Sequence, residues 1–158
     1  MELREIDLEN VWSITRLAVS ESQKDFVATN AESLIEAFAT RQSGFVALPF
    51  GLYENGIPVG FVMIGYGTTG DQDEPRAARN NYCLWRFMID KAYQGKGLGK
   101  AAMKEILRYI RTAPCGKAER CWLSYEPENT VAKALYAQFG FRENGEKCGE
   151  ETVAVLEF

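Results

Sequence analysis

The run Gln94-Gly95-Lys96-Gly97-Leu98-Gly99-Lys100 holds three glycines in seven residues and lies between two unlike stretches. Before it, Tyr82 to Ile89 is rich in aromatic and β-favouring residues and reads as a strand. After it, Leu98, Ala102, Ile106 and Ile110 share one face, with Lys104, Arg108 and Arg111 off it, which predicts a helix over 98–111. A glycine-rich turn from strand into helix lets backbone N–H groups approach an anion closely, and the helix N-terminus adds partial positive charge. That is phosphate-binding chemistry. The spacing is not that of a Walker A loop, since Gln94 stands at its first glycine position and Ala101 follows Lys100. Nor is it the dinucleotide fingerprint G-x-G-x-x-G, whose last glycine would fall on Lys100.

A second constellation runs from Asn129 to Phe141 and reads as a short helix leading into a strand. Asn129 is a good N-cap, Ala132, Leu135, Tyr136 and Phe139 make an apolar face, and Gly140 stands where a C-terminal cap belongs. Together the two segments, Gln-x-x-Gly-x-Gly and Asn-x-x-Ala-x-x-Leu-Tyr-x-x-x-Gly-Phe, resemble the GNAT superfamily of acyl-CoA-dependent N-acetyltransferases. The resemblance implies that Gln94, Gly95, Lys96, Gly97, Leu98, Gly99 and Lys100 hold the pyrophosphate of acetyl-CoA. It implies further that the main chain of Phe87, Met88 and Ile89 pairs with the pantetheine arm, and that Asn129, Lys133 and Tyr136 complete the cofactor site. No metal is called for.

The same resemblance sets the Tyr136 hydroxyl beside the thioester sulphur, as general acid for the departing thiolate. General acid help is typically worth about 10²–10⁴-fold. The acceptor poses the harder problem, because an amine of pKa about 10.4 is protonated at pH 7, and reaching its neutral form costs about 4.6 kcal/mol. Many relatives carry a carboxylate on the central strand, but Tyr82–Ile89 contains none, and the chain has no histidine. Two routes remain for the proton: Glu126, at the end of the next strand, acting through water, or a water wire to bulk with no named base.

Two narrower segments, Val27 to Leu34 and Trp85 to Gly97, resemble bacterial spermine/spermidine acetyltransferases within the superfamily. They imply a small polyamine acceptor, acetylated by direct attack in a ternary complex. The loops at 21–30 and 67–80 carry Glu21, Asp25, Asp71, Asp73 and Glu74, an acidic rim suited to a polycation. Glu21, Asp25, Tyr82 and Trp85 are the expected substrate contacts. The rival readings are an acetyltransferase for an aminoglycoside, an amino acid or a protein N-terminus, and a non-catalytic acyl-CoA-binding sensor.

Composition narrows the field. A net charge of −4 disfavours nucleic acid and suits a cationic partner. No stretch approaches a membrane span, and the first residues lack a signal peptide's basic and apolar regions, so a cytoplasmic protein is expected. Cys83, Cys115, Cys121 and Cys148 form no C-x-x-C pair and read as buried or idle cytosolic thiols. Analogy with relatives that are often dimers suggests a homodimer.

These residues need a scaffold. Glu2–Asp7 reads as a first strand, Leu8–Ser20 and Ala31–Gln42 as helices, and Glu21–Asn30 as a loop between them. Gly44–Tyr53 and Ile57–Tyr66 are apolar strands joined at Asn55-Gly56, a strong hairpin signal. Gly67–Asn80 is expected as an exposed loop and Thr112–Lys117 as a loop, Glu119–Tyr125 as a strand, and Phe141–Glu146 and Thr152–Glu157 as the last two strands. The expectation is one α/β domain over 1–158: a mixed, mostly antiparallel sheet of about seven strands with helices on both faces.

Overall fold

Asn55 and Gly56 both take positive φ, 51° and 79°, the geometry that a two-residue hairpin turn demands. That turn joins β2 (Val46–Glu54) to β3 (Ile57–Tyr66) and starts the antiparallel half of the sheet. The computed structural model describes residues 1–158 and adds β1 (Glu2–Glu5), β4 (Tyr82–Ile89), β5 (Arg120–Tyr125), β6 (Arg142–Cys148) and β7 (Glu151–Glu157). The seven strands form one sheet in the order β1-β2-β3-β4-β5-β7-β6. Every neighbouring pair is antiparallel except β4 and β5.

Helices cover both faces. α1 (Val11–Thr15) and α2 (Asn30–Gln42) lie over Ala47, Phe61, Met63 and Met88, with Ile14 and Ala37 buried between the layers. On the other face, α3 (Leu98–Ile110) sinks Ala102, Met103, Ile106 and Ile110 into a core shared with Val62, Ile64, Leu84 and Leu123. α4 (Thr130–Gln138) adds Tyr136 to that core. A smaller cluster under the 67–80 segment joins Ala77, Ala78, Cys83, Trp122, Val153 and Val155. No helix is long and apolar enough to cross a membrane.

Three expected elements come out differently, one of them the 67–80 loop, where Arg76–Ala78 form a 3₁₀ turn that buries Ala77 and Ala78. The helix expected over Leu8–Ser20 is one short turn, because the chain beyond Thr15 bonds elsewhere. Ala18 N–H donates to Asp90 Oδ2 at 2.8 Å, and Ala18 C=O accepts from Lys91 N–H at 2.9 Å. Those bonds to the end of β4 replace the helical ones. The segment expected as a plain loop, Glu21–Asn30, holds a 3₁₀ turn over Glu21–Phe26, capped reciprocally by Ser20 and Gln23.

Candidate active site

β4 and β5 are neighbours for only two residues, Tyr82 beside Cys121 and Cys83 beside Trp122. Beyond Cys83, β4 keeps its pairing with β3 as far as Ile89, while β5 follows β7. The parallel strands therefore splay, and the β5-facing edge of β4 from Leu84 onward has no strand beside it. The join is tightly held. Asn81, 8% exposed, accepts from the N–H groups of Glu119 and Arg120 and donates to the carbonyls of Ala77 and Arg79. The Tyr82 hydroxyl donates to Gly116 C=O at 2.9 Å and accepts from Cys115 N–H at 2.9 Å. Just past the join, Met63 pairs with Arg86 and Ile64 with Leu84, which leaves Trp85 as the extra residue of a β-bulge. A bulge bends its strand and re-aims its side chains.

β4 is followed at once by Asp90, which organises the glycine turn. Its Oδ1 accepts from Ala92 N–H and its carbonyl from Tyr93 and Gln94 N–H. Gly95 and Gly97 take φ of 74° and 77°, a region L side chains rarely enter. The five consecutive N–H groups from Gly95 to Gly99 make no hydrogen bond within the chain. The row ends on the N-terminus of α3, so the turn fits a pyrophosphate by geometry and by charge. Gln94 does something else with its side chain. Its Nε2 donates to Ile89 C=O at 2.9 Å and to Gln23 Oε1 at 3.0 Å, bracing the turn against β4 and the 3₁₀ segment.

A cavity of about 400 Å³ runs from this turn into the splay. Phe87, Met88 and Ile89 line it from β4, Gly95, Gly97, Leu98 and Gly99 from the turn, Asn129 from the N-cap of α4 and Tyr136 from α4 itself. The Asn129 carboxamide caps α4 by accepting from Ala132 N–H at 3.1 Å. The Tyr136 hydroxyl forms no hydrogen bond within the chain, and burial followed by the nearby Glu151 carboxylate pushes its pKa well up. Tyr136 therefore holds its proton at neutral pH.

A second cavity, of about 350 Å³, meets the first at Trp85, Arg86, Ser124 and Glu151. Its wall carries five carboxylates, Glu36, Asp71, Asp73, Glu74 and Glu151, against one cation, Arg86, which Glu36 engages at 3.0 Å. Thr68, Thr69 and Gly70 bond the Glu74 carboxylate, and these bonds outweigh its desolvation and lower its pKa. Ser124 Oγ donates to Glu151 Oε2, while Glu151 Oε1 has no partner within the chain.

Of the residues singled out in the sequence, the structure gathers the β4 trio, the turn glycines with Leu98, Asn129, Tyr136, Trp85 and Asp25 around the first cavity. Lys96 bonds to Ala92 C=O, and Lys133 pairs with Glu143 at 2.8 Å. Those two lysines, Lys100, Glu126 and Tyr82 line neither cavity. Glu21 is turned to Lys24 at 2.6 Å, also outside both. Tyr82 is 1% exposed with its hydroxyl fully bonded, a core residue rather than a substrate contact. Sequence reasoning missed Glu151 and Ser124. A signal was present: Gly149-Glu150 is a Gly-X hairpin turn, with Gly149 at φ 57° and Cys148 paired to Glu151. That turn marks Glu151 as the first residue of β7, but its place beside Ser124 follows from the β5–β7 register, which the turn does not encode. No His, Cys, Asp and Glu residues gather as a metal site.

The chain is similar to known proteins in sequence and in fold. The acetyltransferase (GNAT) family model matches residues 8–141. The Spermine/spermidine N(1)-acetyltransferase of Bacillus subtilis is 34% identical over 148 residues, covering 92% of this chain and 90% of that protein. Aminoglycoside acetyltransferase AAC(6')-Ib in complex with coenzyme A superposes with a TM-score of 0.77 at 14% identity, covering 98% of this chain and 93% of the other. The PaiA N-acetyltransferase of Thermoplasma acidophilum, also with coenzyme A, gives 0.67 at 17% identity over 99% of this chain and 98% of that one.

Proposed function

The chain belongs to the GNAT family of acetyltransferases, and from that membership we propose that it moves the acetyl group of acetyl-CoA to a primary amine of a small polyamine such as spermidine or spermine. The observation that carries the acceptor is the acidic cavity meeting the first at Trp85, Arg86, Ser124 and Glu151. A linear amine with two or more ammonium groups can put one nitrogen at that junction while the others face Asp71 and Asp73. Each unit-charge pair at 4 Å is worth about 1 kcal/mol in water and a few more where partly desolvated. The 34% identity to the Bacillus subtilis enzyme supports the same acceptor class.

The residues divide the work. The free N–H groups of 95–99 bind the pyrophosphate, and the open edge of β4 at Phe87–Ile89 receives the extended arm. Acetyl-CoA supplies an acyl group activated as a thioester. Tyr136, kept protonated by its surroundings, gives its phenolic proton to the departing sulphur. Holding both reactants in one wedge removes much of the entropy cost of a bimolecular reaction.

A thiol-release assay with acetyl-CoA against spermidine, spermine, linear monoamines, an aminoglycoside and amino acids tests the reading. Polyamines are expected to give the highest kcat/KM. Equal rates with monoamines of similar length would overturn the acceptor and keep the transferase. Acetyl-CoA binding without turnover on any amine would favour a sensor instead.

A further inference from the structure

We propose that Glu151 is the general base of the acetyl transfer and that Ser124 aims it, an inference that rests on the transferase reading above but not on the acceptor being a polyamine. Ser124 pairs with Val153, so Glu151, two residues earlier on β7, is its diagonal neighbour on the same sheet face. The Ser124 hydroxyl fixes Oε2 and leaves Oε1 free. Glu151 is the one carboxylate that lines both cavities. An amine arriving through the acidic cavity meets it at the junction, and its charge reaches Tyr136 on the other side.

The other carboxylates are worse placed. Glu74 is bonded to Thr68, Thr69 and Gly70, and Glu36 holds Arg86. Asp71 and Asp73 are exposed on the loop, Asp25 lines only the first cavity, and Glu126 lines neither. No cation is free to pair with Glu151, and the other carboxylates of the second cavity wall, Glu36, Asp71, Asp73 and Glu74, share its sign. Arg86 of β4 is engaged by Glu36, and burial raises the thiol pKa of Cys83 on β4 and of Cys148 on β6, so both stay neutral. Tyr136 of α4 is protonated.

The step balances. An ammonium proton passes to Glu151 Oε1, the freed lone pair forms the N–C bond, and the C–S bond breaks. The thiolate takes the Tyr136 proton. The nitrogen's remaining excess proton restores Tyr136 through water, and Glu151 discharges to solvent.

The test is thiol release by wild type, Glu151→Gln, Glu151→Asp and Ser124→Ala, between pH 7 and 9.5, on whichever amine of the panel the wild type turns over. At pH 7, Glu151→Gln should lower kcat about 10²–10³-fold with coenzyme A affinity unchanged. The deficit should shrink at least tenfold by pH 9.5, because an amine of pKa about 10.4 then increasingly arrives neutral. Glu151→Asp should recover part of the loss. Ser124→Ala should show a smaller deficit with the same pH trend, and it carries the test if Glu151→Gln fails to fold. An active wild type with deficits equal at both pH values, or confined to KM, overturns the base assignment alone. A wild type inactive on every amine overturns the transferase reading and the assignment with it.

Discussion

Tyr136 and Gly97 are the single residues at which the proposed function is tested most directly. Tyr136→Phe removes one hydroxyl that has no partner in the chain, so the core around Tyr125 and Phe141 should tolerate it. We expect kcat to fall about 10–10³-fold with coenzyme A affinity kept, measured by steady-state kinetics beside calorimetric titration. An unchanged kcat would make Tyr136 a packing residue. The raised pKa fixes a sign as well. A donor whose pKa lies above its ordinary value stays protonated as pH rises, so Tyr136 should impose no falling limb below about pH 10. The wild-type profile should climb toward alkaline pH as the acceptor amine deprotonates, and a bell centred near neutrality would contradict that. Gly97→Val should weaken coenzyme A at least about tenfold. The position needs φ of 77°, where a β-branched side chain strains the turn and shifts the amides that flank it. Titration with coenzyme A, with thermal unfolding as the control for folding, checks it.

At the scale of elements, the candidate site opens where β4 and β5 cease to pair, and Asn81 limits where that begins. Asn81→Ala leaves four backbone groups near the join without their partners. The expected loss is about 2–3 kcal/mol of stability, read as a lower urea midpoint. Amide exchange should quicken first around 82–84 and 119–122. A variant with an unchanged midpoint would mean that the two-residue ladder holds the strands unaided. Little of this opening was legible in the sequence. The element order, the Asn55-Gly56 turn, the glycine turn and the Asn129 cap were legible, because each depends on local chemistry. The bulge at Trp85, the splay, and the meeting of Ser124 with Glu151 depend on register between strands far apart in sequence, which no local pattern encodes. The shortened α1 belongs with them, since bonds from Ala18 to Asp90 and Lys91 override its helical pattern.

Over the whole molecule, acidic groups concentrate on one side of the splay and an unsatisfied row of amide N–H groups on the other. If the acidic cavity attracts a polycation, KM for spermidine should rise with ionic strength, because charges separated by more than about 8 Å are largely screened at 0.15 M salt. The Asp71→Asn/Asp73→Asn double variant should raise that KM several-fold with KM for acetyl-CoA unchanged, since both residues are exposed and each contributes modestly. A double variant with unmoved KM would remove this loop from acceptor binding. The two cavities have different walls and touch only at Trp85, Arg86, Ser124 and Glu151. With acetyl-CoA in the first cavity and the amine in the second, as proposed, neither reactant has to pass through the other's chamber, so the chain imposes no compulsory queue. Double-reciprocal plots should intersect rather than run parallel, and each product should compete with its own parent substrate. Either half of the site can then be refilled while the other is still emptying.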